Sequence, residues 1–473
     1  MARINTNVSA LTAQRNLNIA YRELNTTMEH LSTGLRISRG KDDPAGLIVS
    51  ERLRSEISAV GQAVSNTQRA KLIVATAEGA LDEVAALLKD IQAKIVEAAN
   101  EGAFSEDEIA ANQLQIDSAI DSITRIANTT TFAGRKLLDG SLAYETEGLD
   151  LTAVRDHQIY EAQFGSRSAV GVTVDIENPA EQAELQFPFA ALSNSGDVTI
   201  ELRGATGATT LTFASATPAS QIIDAINAIG DATGILATSH ATSGLQLYSR
   251  SYGSREFVKV RVLSEGQEFM RNGDDMSDYG TDAKATVNGT LAHANGNQLA
   301  MKSATLDLAL TVAAGSAYTT SFSITDGGAL FQIGPQVNTN LQVNMGIDSV
   351  HTSELGNVEI GFLAEVKTGG TYALTNASPR WSDASSIVED SLNRISRLRG
   401  RLGSFERNTL ETNINQLGIT LENLMSAESS IRDADFASET SKLARDQILV
   451  NAGTTVLTLA NQTTQSVLRL LGG

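Results

Sequence analysis

Thiols, imidazoles and clustered carboxylates are the side chains through which a chain most often does chemistry, and here they are few and scattered. There are no cysteines, which removes thiolate catalysis, disulfides and Cys-ligated zinc. His30, His157, His240, His293 and His351 include no H-E-x-x-H pair, the spacing that sets two ligands one turn apart on a helix. Asp274, Asp275, Asp278 and Asp282 follow Asn272-Gly273 closely enough to hold a hard cation, yet their order is not that of a calcium loop. A solvated acidic loop is the expected reading. Gly204 and Gly207 fall between two strand-like runs and read as a hairpin turn rather than a phosphate cradle. No catalytic residue, metal ligand or cofactor is expected, and the chain reads as a non-enzyme.

Spacing of the apolar residues carries far more information. Leu17, Tyr21, Leu24, Met28, Leu31 and Leu35 alternate in steps of four and three, a heptad seam, on a helix expected to stop near Gly40. Asp42-Asp43-Pro44 reads as an N-cap with proline in the first turn. The pattern then runs from Leu53 through Ile57, Val60, Val64, Thr67, Lys71, Val74, Glu78, Leu81, Val84, Leu88, Ile91 and Ile95 to Ala98, on the order of 70 Å of helix. Thr67, Lys71 and Glu78 are polar at seam positions, where they either fix register or simply reach solvent. Ser105-Glu106-Asp107-Glu108 has the form of a capping box and opens a third helix, with Ile109, Ile116, Ile120, Ile123 and Ile126 on one face.

Ser386-Ile387-Val388-Glu389 has the same form, so a helix is expected to begin there. Ile395, Leu398, Leu402 and Phe405 follow, then, after a step of five, Leu410, Ile414, Leu417, Leu421 and Leu424. Such a step would turn the apolar line onto a new face. A last run carries Leu449, Ala452, Val456, Leu459, Thr463, Val467, Leu468, Leu470 and Leu471. Both terminal stripes lack a local partner, so each is expected to pair with the other and with further copies of the chain. The self-assembly residues are then Leu17, Tyr21, Leu24, Met28, Leu31 and Leu35 with Leu449, Val456, Leu459, Val467, Leu468, Leu470 and Leu471. Leu53, Ile57, Val60, Val64, Leu81 and Leu88 with Ile395, Leu398, Leu402, Ile414, Leu417 and Leu421 are the expected intramolecular core.

At 473 residues and 41% hydrophobic content the chain has room for two to four domains, and no run nears the ~18 apolar residues of a membrane span. Met1-Ala2-Arg3-Ile4-Asn5-Thr6-Asn7 lacks the apolar core and cleavage site of a secretory signal. Of the net charge of −19, residues 141–386 carry −15, from 12 Lys plus Arg against 27 Asp plus Glu. That middle is the solvated part, and no basic face offers itself to nucleic acid. Its Thr, Val, Gly and Asn alternate with period two. Strands are expected at Val198–Leu202, Thr209–Phe213, Gly244–Ser249, Phe257–Val262, Leu330–Ile333 and Leu341–Ile347, a helix from Ala219 to Gly230, and turns at Asn288-Gly289 and Asn295-Gly296. The fold class is multidomain α + β: long terminal helices forming a coiled-coil or bundle core around a β-rich insert.

With these words in it, the layout resembles bacterial flagellin. The resemblance rests on Arg3-Ile4-Asn5-Thr6-Asn7, Leu31-Ser32-Thr33-Gly34-Leu35-Arg36-Ile37, Lys41-Asp42-Asp43 with Ala45-Gly46, and Phe132-Ala133-Gly134-Arg135-Lys136-Leu137-Leu138, where Ala133 replaces the usual Asn. At the other end it rests on Ile431-Arg432-Asp433-Ala434-Asp435-Phe436-Ala437, Gln447-Ile448-Leu449, Asn461-Gln462 and Val467-Leu468-Arg469-Leu470-Leu471. Ser220 to Val260, with Asp224-Ala225-Ile226-Asn227, resembles a small repeated motif of flagellins and filament-cap proteins.

The resemblance implies a structural subunit that polymerises into the extracellular filament used for swimming. Its implied partners are further copies of itself, the flagellar type III export apparatus and an export chaperone, and filament-cap and hook-associated proteins; no nucleic acid or membrane is among them. Residues 1–42 and 431–473 would form the filament core, and 43–140 with 386–430 an inner helical domain. The variable β-rich outer region would be 141–328, 329–355 a hairpin on the inner domain and 356–385 a connector. A hook–filament junction protein shares weak versions of both termini, and a secreted adhesin or enzyme could borrow such ends for export; Val467 to Leu471 favours flagellin, and no site is visible in the middle. In the family, innate immune sensing maps to a motif L-Q-R-V-R-E-L-A-V-Q-S-A-N. This chain has Leu88 to Asn100 there, agreeing at Leu88, Val96, Ala99 and Asn100 but carrying Asp90, Ala93 and Lys94 for Arg, Glu and Leu, with Gln115 for a Glu on the next helix. Weak recognition by the flagellin-sensing Toll-like receptor is the implied outcome.

Overall fold

The computed structural model describes residues 6–471 apart from 101, 166, 189–195, 241–243, 265–274, 304 and 359, with side chains described as far as residue 462. Arg3-Ile4-Asn5, Asn272-Gly273 and Asp274 lie outside the described residues, as do the side chains of Thr463, Val467, Leu468, Leu470 and Leu471. The helices are α1 (Val8–Thr33), α2 (Pro44–Ala98), α3 (Glu106–Thr129), α4 (Ala219–Ala228), a single turn α5 (Gly230–Thr233), α6 (Trp381–Ser404), α7 (Thr412–Arg432) and α8 (Phe436–Leu471).

Their ends have local causes. The Asn7 carboxamide accepts from the Ala10 amide at 3.0 Å, the Asp43 carboxylate accepts from Gly46 at 2.9 Å just ahead of Pro44, and Ser105 with Glu108 completes the expected capping box. Each satisfies amides that have no partner within the helix. Gly34, at φ 72°, stops α1 earlier than the expected Gly40, its amide capping the His30 carbonyl.

Two expectations for the C-terminal helices are corrected. Helix α6 begins at Trp381, not at Ser386, because the Ala384 amide already bonds to the Arg380 carbonyl at 2.9 Å and Arg380 pairs with Asp383 at 2.6 Å. The Ser386 hydroxyl instead donates to the Ser382 carbonyl, so its box lies inside the helix. The step of five does not turn the apolar line away. Phe405–Glu411 is π-helical, and its wider turn places residues five apart on one face; Leu402 and Leu410 are both fully buried.

Two compact units form, one from residues 1–68, 333–337 and 411–473, the other from 69–332 and 338–410. In the second, Leu81, Leu88 and Ile91 of α2, Ile116 and Ile120 of α3, and Ile387, Ile395 and Leu402 of α6 are buried. Pairs of Lys71 with Glu406 at 3.6 Å, Glu78 with Arg399 at 2.9 Å and Gln92 with Ser385 at 2.8 Å run α2 and α6 antiparallel. Lys71 and Glu78 are thus ion-paired to the opposite helix while remaining partly exposed. Within residues 356–385, Leu363, Val366 and Leu374 are buried, and Gln113 of α3 fastens the Val366 carbonyl at 3.0 Å and the Leu374 amide at 2.7 Å.

The insert has two cores. In one, the antiparallel sheets 290–291/284–287/170–178/318–327/144–147 and 293–295/298–302/306–312/154–162 enclose Val172, Val174, Leu308, Leu310 and Ile324. In the other, 275–279/257–262/198–204/208–213 and 184–188/244–249/235–240 enclose Ile200, Leu202, Val258 and Leu247, with Ile222 and Ile226 of α4 closing the side. Asn288 and Gly289 both have positive φ in a two-residue hairpin. The Gly204 amide bonds to the Gly207 carbonyl, the expected hairpin turn. The hairpin of Ala329–Gln332 and Gln342–Met345 sets Phe331 against Phe405, with ring centroids 6.1 Å apart. The first core is held to α6 by Arg394 on Asp156 and by Arg401, whose guanidinium lies 3.7 Å from the Tyr160 ring centre. Burial there pushes the Asp348 carboxyl above its ordinary range, although Arg401 and Arg394 oppose it.

Between the two cores, Glu181 and Thr281 exchange both amide hydrogen bonds at 3.0 Å. Asp282 accepts from the Ser254 amide at 3.0 Å and the Gly296 amide at 2.7 Å. Asp275 pairs with Lys259 at 3.1 Å and Asp278 accepts from the Glu184 amide at 2.6 Å, so the described members of the acidic cluster fasten strands. Gly253, at φ 117°, leaves no room for a Cβ, which would come within 2.7 Å of the Gly296 nitrogen. Gly253→Ala is expected to destabilise the insert by about 1–3 kcal/mol, seen as a lowered thermal transition; an unchanged transition would mean the junction yields without cost.

Candidate assembly surface

Helices α1 and α8 lie antiparallel along one another. The Asn7 carboxamide donates to the Ala460 carbonyl at 2.9 Å, the Thr27 hydroxyl to the Asp446 carboxylate at 3.0 Å, and His30 lies 3.4 Å from Glu439. Leu17, Ala20 and Val450 are the buried apolar centre, flanked by Leu24 and Leu457. Gly453 lets Leu17 approach so closely that an added Cβ would lie 3.0 Å from its methyl.

The contact seam is not the one that the large apolar residues suggest. On α8 the buried and half-buried positions are Glu439, Leu443, Asp446, Val450, Gly453, Leu457 and Ala460, a regular alternation of four and three that sits one residue beside the stripe read from sequence. On α1 they are Ala10, Ala13, Leu17, Ala20, Leu24 and Thr27, followed by Glu29, His30 and Leu31 in the last turns. Leu17 and Leu24 thus face the partner helix, while Leu31 is half-buried and Leu35 is half-buried beyond the helix end. Tyr21 (44% exposed), Met28 (48%), Leu449 (44%), Val456 (53%) and Leu459 (60%) do not. The physical reason is backbone approach: Ala, Gly and Thr let two helices come close, and the bulky side chains then stand outside the contact. Ile19, Leu449, Ala452 and Val456 line a groove of about 360 Å³ along the pair.

The base of the pair is a join between two segments nearly 400 residues apart. Leu35 and Asp433 form an antiparallel bridge, with Arg36 bonded to the Arg432 carbonyl at 2.7 Å and Ala434 to the Gly34 carbonyl at 2.9 Å. Arg432 reaches Glu51 at 3.1 Å, and Ile37 beside it is 1% exposed. In the same unit α2 meets α7 through Val60, Ala63 and Leu417, with Val64, Leu421 and Leu424 packed against them; Leu53, Ile57 and Ile414 are half-buried. Thr67 is fully buried, its hydroxyl donating to the Ala63 carbonyl and accepting from Asn413. On α2 and α3, Asp90, Ala93 and Gln115 are exposed, Lys94 pairs with Glu97 at 2.7 Å, and Leu88 is fully buried.

Buried polar residues make the α1–α8 contact sensitive to pH. Burial alone would raise the Glu439 carboxyl, but hydrogen bonds from Lys442 and then His30 bring it below its ordinary value of 4.5. A carboxyl lowered in the folded state stabilises above its unfolded value, and that contribution fades as pH falls through the folded one. Pairing is therefore expected to weaken below about pH 4.5, and less steeply in Glu439→Gln, as read by hydrogen exchange of Leu17 and Val450. Thr27→Val should cost ~1–3 kcal/mol of pairing because it strips the buried Asp446 carboxylate of its hydrogen bond; unchanged exchange at Leu17 would contradict this.

Compared with known proteins, the chain matches the bacterial flagellin N-terminal helical region over residues 4–143 and the C-terminal helical region over residues 385–471. It is 28% identical to the B-type flagellin of Pseudomonas aeruginosa over 522 aligned residues, covering 99% of each chain. It is 30% identical to a flagellin of Clostridium tyrobutyricum over 462 residues, covering 98% of this chain and 100% of that one. Among solved structures, a flagellar cap protein from Escherichia coli aligns with 45% of this chain and 64% of its own at 17% identity and a TM-score of 0.30.

Proposed function

The chain belongs to the bacterial flagellin family, and we propose that the apolar lines left exposed on its α1–α8 pair are the contacts through which it polymerises. It is a structural subunit of the flagellar filament, the extracellular polymer that drives swimming. One observation carries the assignment of the contacts: Tyr21, Met28, Leu449, Val456 and Leu459 are large, apolar and exposed on helices whose mutual seam runs along another face. Exposed apolar surface of that extent on a secreted protein calls for a partner, and identical subunits supply it. Val467, Leu468, Leu470 and Leu471 continue the line by sequence.

In this reading residues 1–42 and 431–473 line the filament core. Residues 43–140 and 386–430 form the surrounding helical domain, with the 329–355 hairpin against it, and 141–328 form the outer region, whose two cores suit two outer domains. The cap and hook-associated proteins would meet the same terminal helices. Export unfolded through the flagellar type III apparatus, with a chaperone shielding the apolar end, fits a chain without disulfides to reform. The immune receptor would meet Asp90 where a basic side chain is recognised, a like charge for any acidic partner, and Lys94 is tied to Glu97. Leu88 agrees with the sensed motif but is buried and so contributes nothing to a receptor contact.

Deleting Leu449 to Gly473 is expected to give a monomer that no longer sediments as filaments while the insert keeps its thermal transition; filaments from that truncation would overturn the assignment. Receptor reporter cells should respond weakly to the unmodified monomer and more strongly to the Asp90→Arg, Ala93→Glu, Lys94→Leu variant, since anchors of this kind are worth about 2 kcal/mol or more each. Full potency of the unmodified protein would contradict that.

A further inference from the structure

The inner seam of α8 carries two carboxylates, Glu439 at 4% and Asp446 at 1% exposure, in a contact whose apolar centre is only Leu17, Ala20 and Val450. Their cost is visible. One Asp446 oxygen takes the Thr27 hydroxyl at 3.0 Å; the other is buried without a hydrogen bond, with Arg445 of the same helix 3.6 Å away. A leucine at that position would pack without this penalty, because replacing buried charge by apolar groups is often neutral or stabilising. The buried residues of α1 are Ala13, Leu17, Ala20 and Thr27, with no acid among them, and the two α1 groups that meet the carboxylates are the Thr27 hydroxyl and His30.

Resting on the assembly reading, we propose that Glu439 and Asp446 select the partner of α8: they admit α1 and exclude a second α8. Two copies of α8 paired in parallel along this seam would bury Asp446 against Asp446 and Glu439 against Glu439. Paired antiparallel, the carboxylates would meet Val450, Gly453, Leu457 or Ala460, which offer no side-chain donor. Either arrangement leaves buried charge unanswered, whereas the remaining heptad of Leu443, Val450, Gly453 and Leu457 would otherwise support it. Such exclusion matters for a subunit that displays an apolar line on α8 at the concentrations of a growing polymer, since a partner is chosen as much by what is penalised as by what is favoured.

The absence of native cysteine makes the test direct. Val450→Cys places a thiol on the inner seam, where an interchain disulfide forms only if two copies of α8 meet there. In the otherwise native chain no such link is expected. With Thr27→Val, Glu439→Leu and Asp446→Leu added, interchain disulfide should rise about tenfold or more, and filament yield, scored in chains without Val450→Cys, should fall. Thr27→Asp alone should abolish filaments by facing Asp446 with like charge, and Thr27→Asp with Asp446→Thr should restore them. Equal linking in the native and apolar seams, or a swapped pair that fails to restore what Thr27→Asp removes, overturns partner selection. Failure of the unmodified chain to polymerise would instead strike the assembly reading, and the disulfide comparison would still decide this one.

Discussion

Everything in the terminal unit depends on how closely α1 and α8 approach. With alanine at 13 and 20 and glycine at 453 on the facing seams, the backbones come near enough for Asn7, Thr27 and His30 to reach across. Close approach also confines the apolar contact to a few side chains. The larger residues that could have filled a wider seam stand on adjoining faces. Pairing the two helices leaves Tyr21, Met28, Leu449, Val456 and Leu459 exposed, the surface that the proposed assembly would cover.

The rest of that unit holds those two helices at a common base. Leu35 and Asp433 bring the end of α1 and the start of α8 together, while Arg432 ties the join to Glu51 near the beginning of α2. The π turn at Phe405–Glu411 lets half-buried Phe405 and fully buried Leu410, five residues apart, share a face. In the second unit the β cores are fastened by groups that leave little slack, Asp282 and Gly253 between the two cores and Arg394 and Arg401 on α6.

Helices, their N-caps at Asp43 and Ser105, and the strand-rich character of the insert were legible because each is a local property of a few neighbouring residues. Which face of a helix meets its partner was not. Hydrophobic periodicity weights the largest side chains and so counted Tyr21, Met28, Leu449 and Val456 with the pairing stripe, whereas the seam that forms mixes Leu17, Leu24, Leu443, Val450 and Leu457 with Ala, Gly, Thr and two acids. A run of small residues at heptad spacing, Ala13 and Ala20 or Gly453 and Ala460, was the available signal. Strand pairing in the insert was equally hidden, since 144–147 bonds to 318–327 and nothing local encodes a register set by chain topology. The packed segment around Leu363 and Leu374 read as a connector because it has almost no regular structure, although Gln113 holds it by two buried hydrogen bonds.

The division of labour between the two faces of the helix pair also bears on when order is gained. An isolated helix gains little stability in water from propensity alone, and the seam adds only a handful of apolar side chains against the entropy of fixing two chain ends. Tyr21, Met28, Leu449, Val456 and Leu459, whose burial could offset that entropy, stay exposed on the outer lines, where on the proposed assembly a neighbouring subunit would cover them. On the proposed assembly, association and ordering of the termini become one transition, whose cooperativity would rise with the share of apolar surface kept off the inner seam. A wider, leucine-filled seam would stabilise the lone subunit and weaken that coupling. The partly polar seam does the opposite, and on the proposed assembly the terminal helices would draw their stability from the polymer.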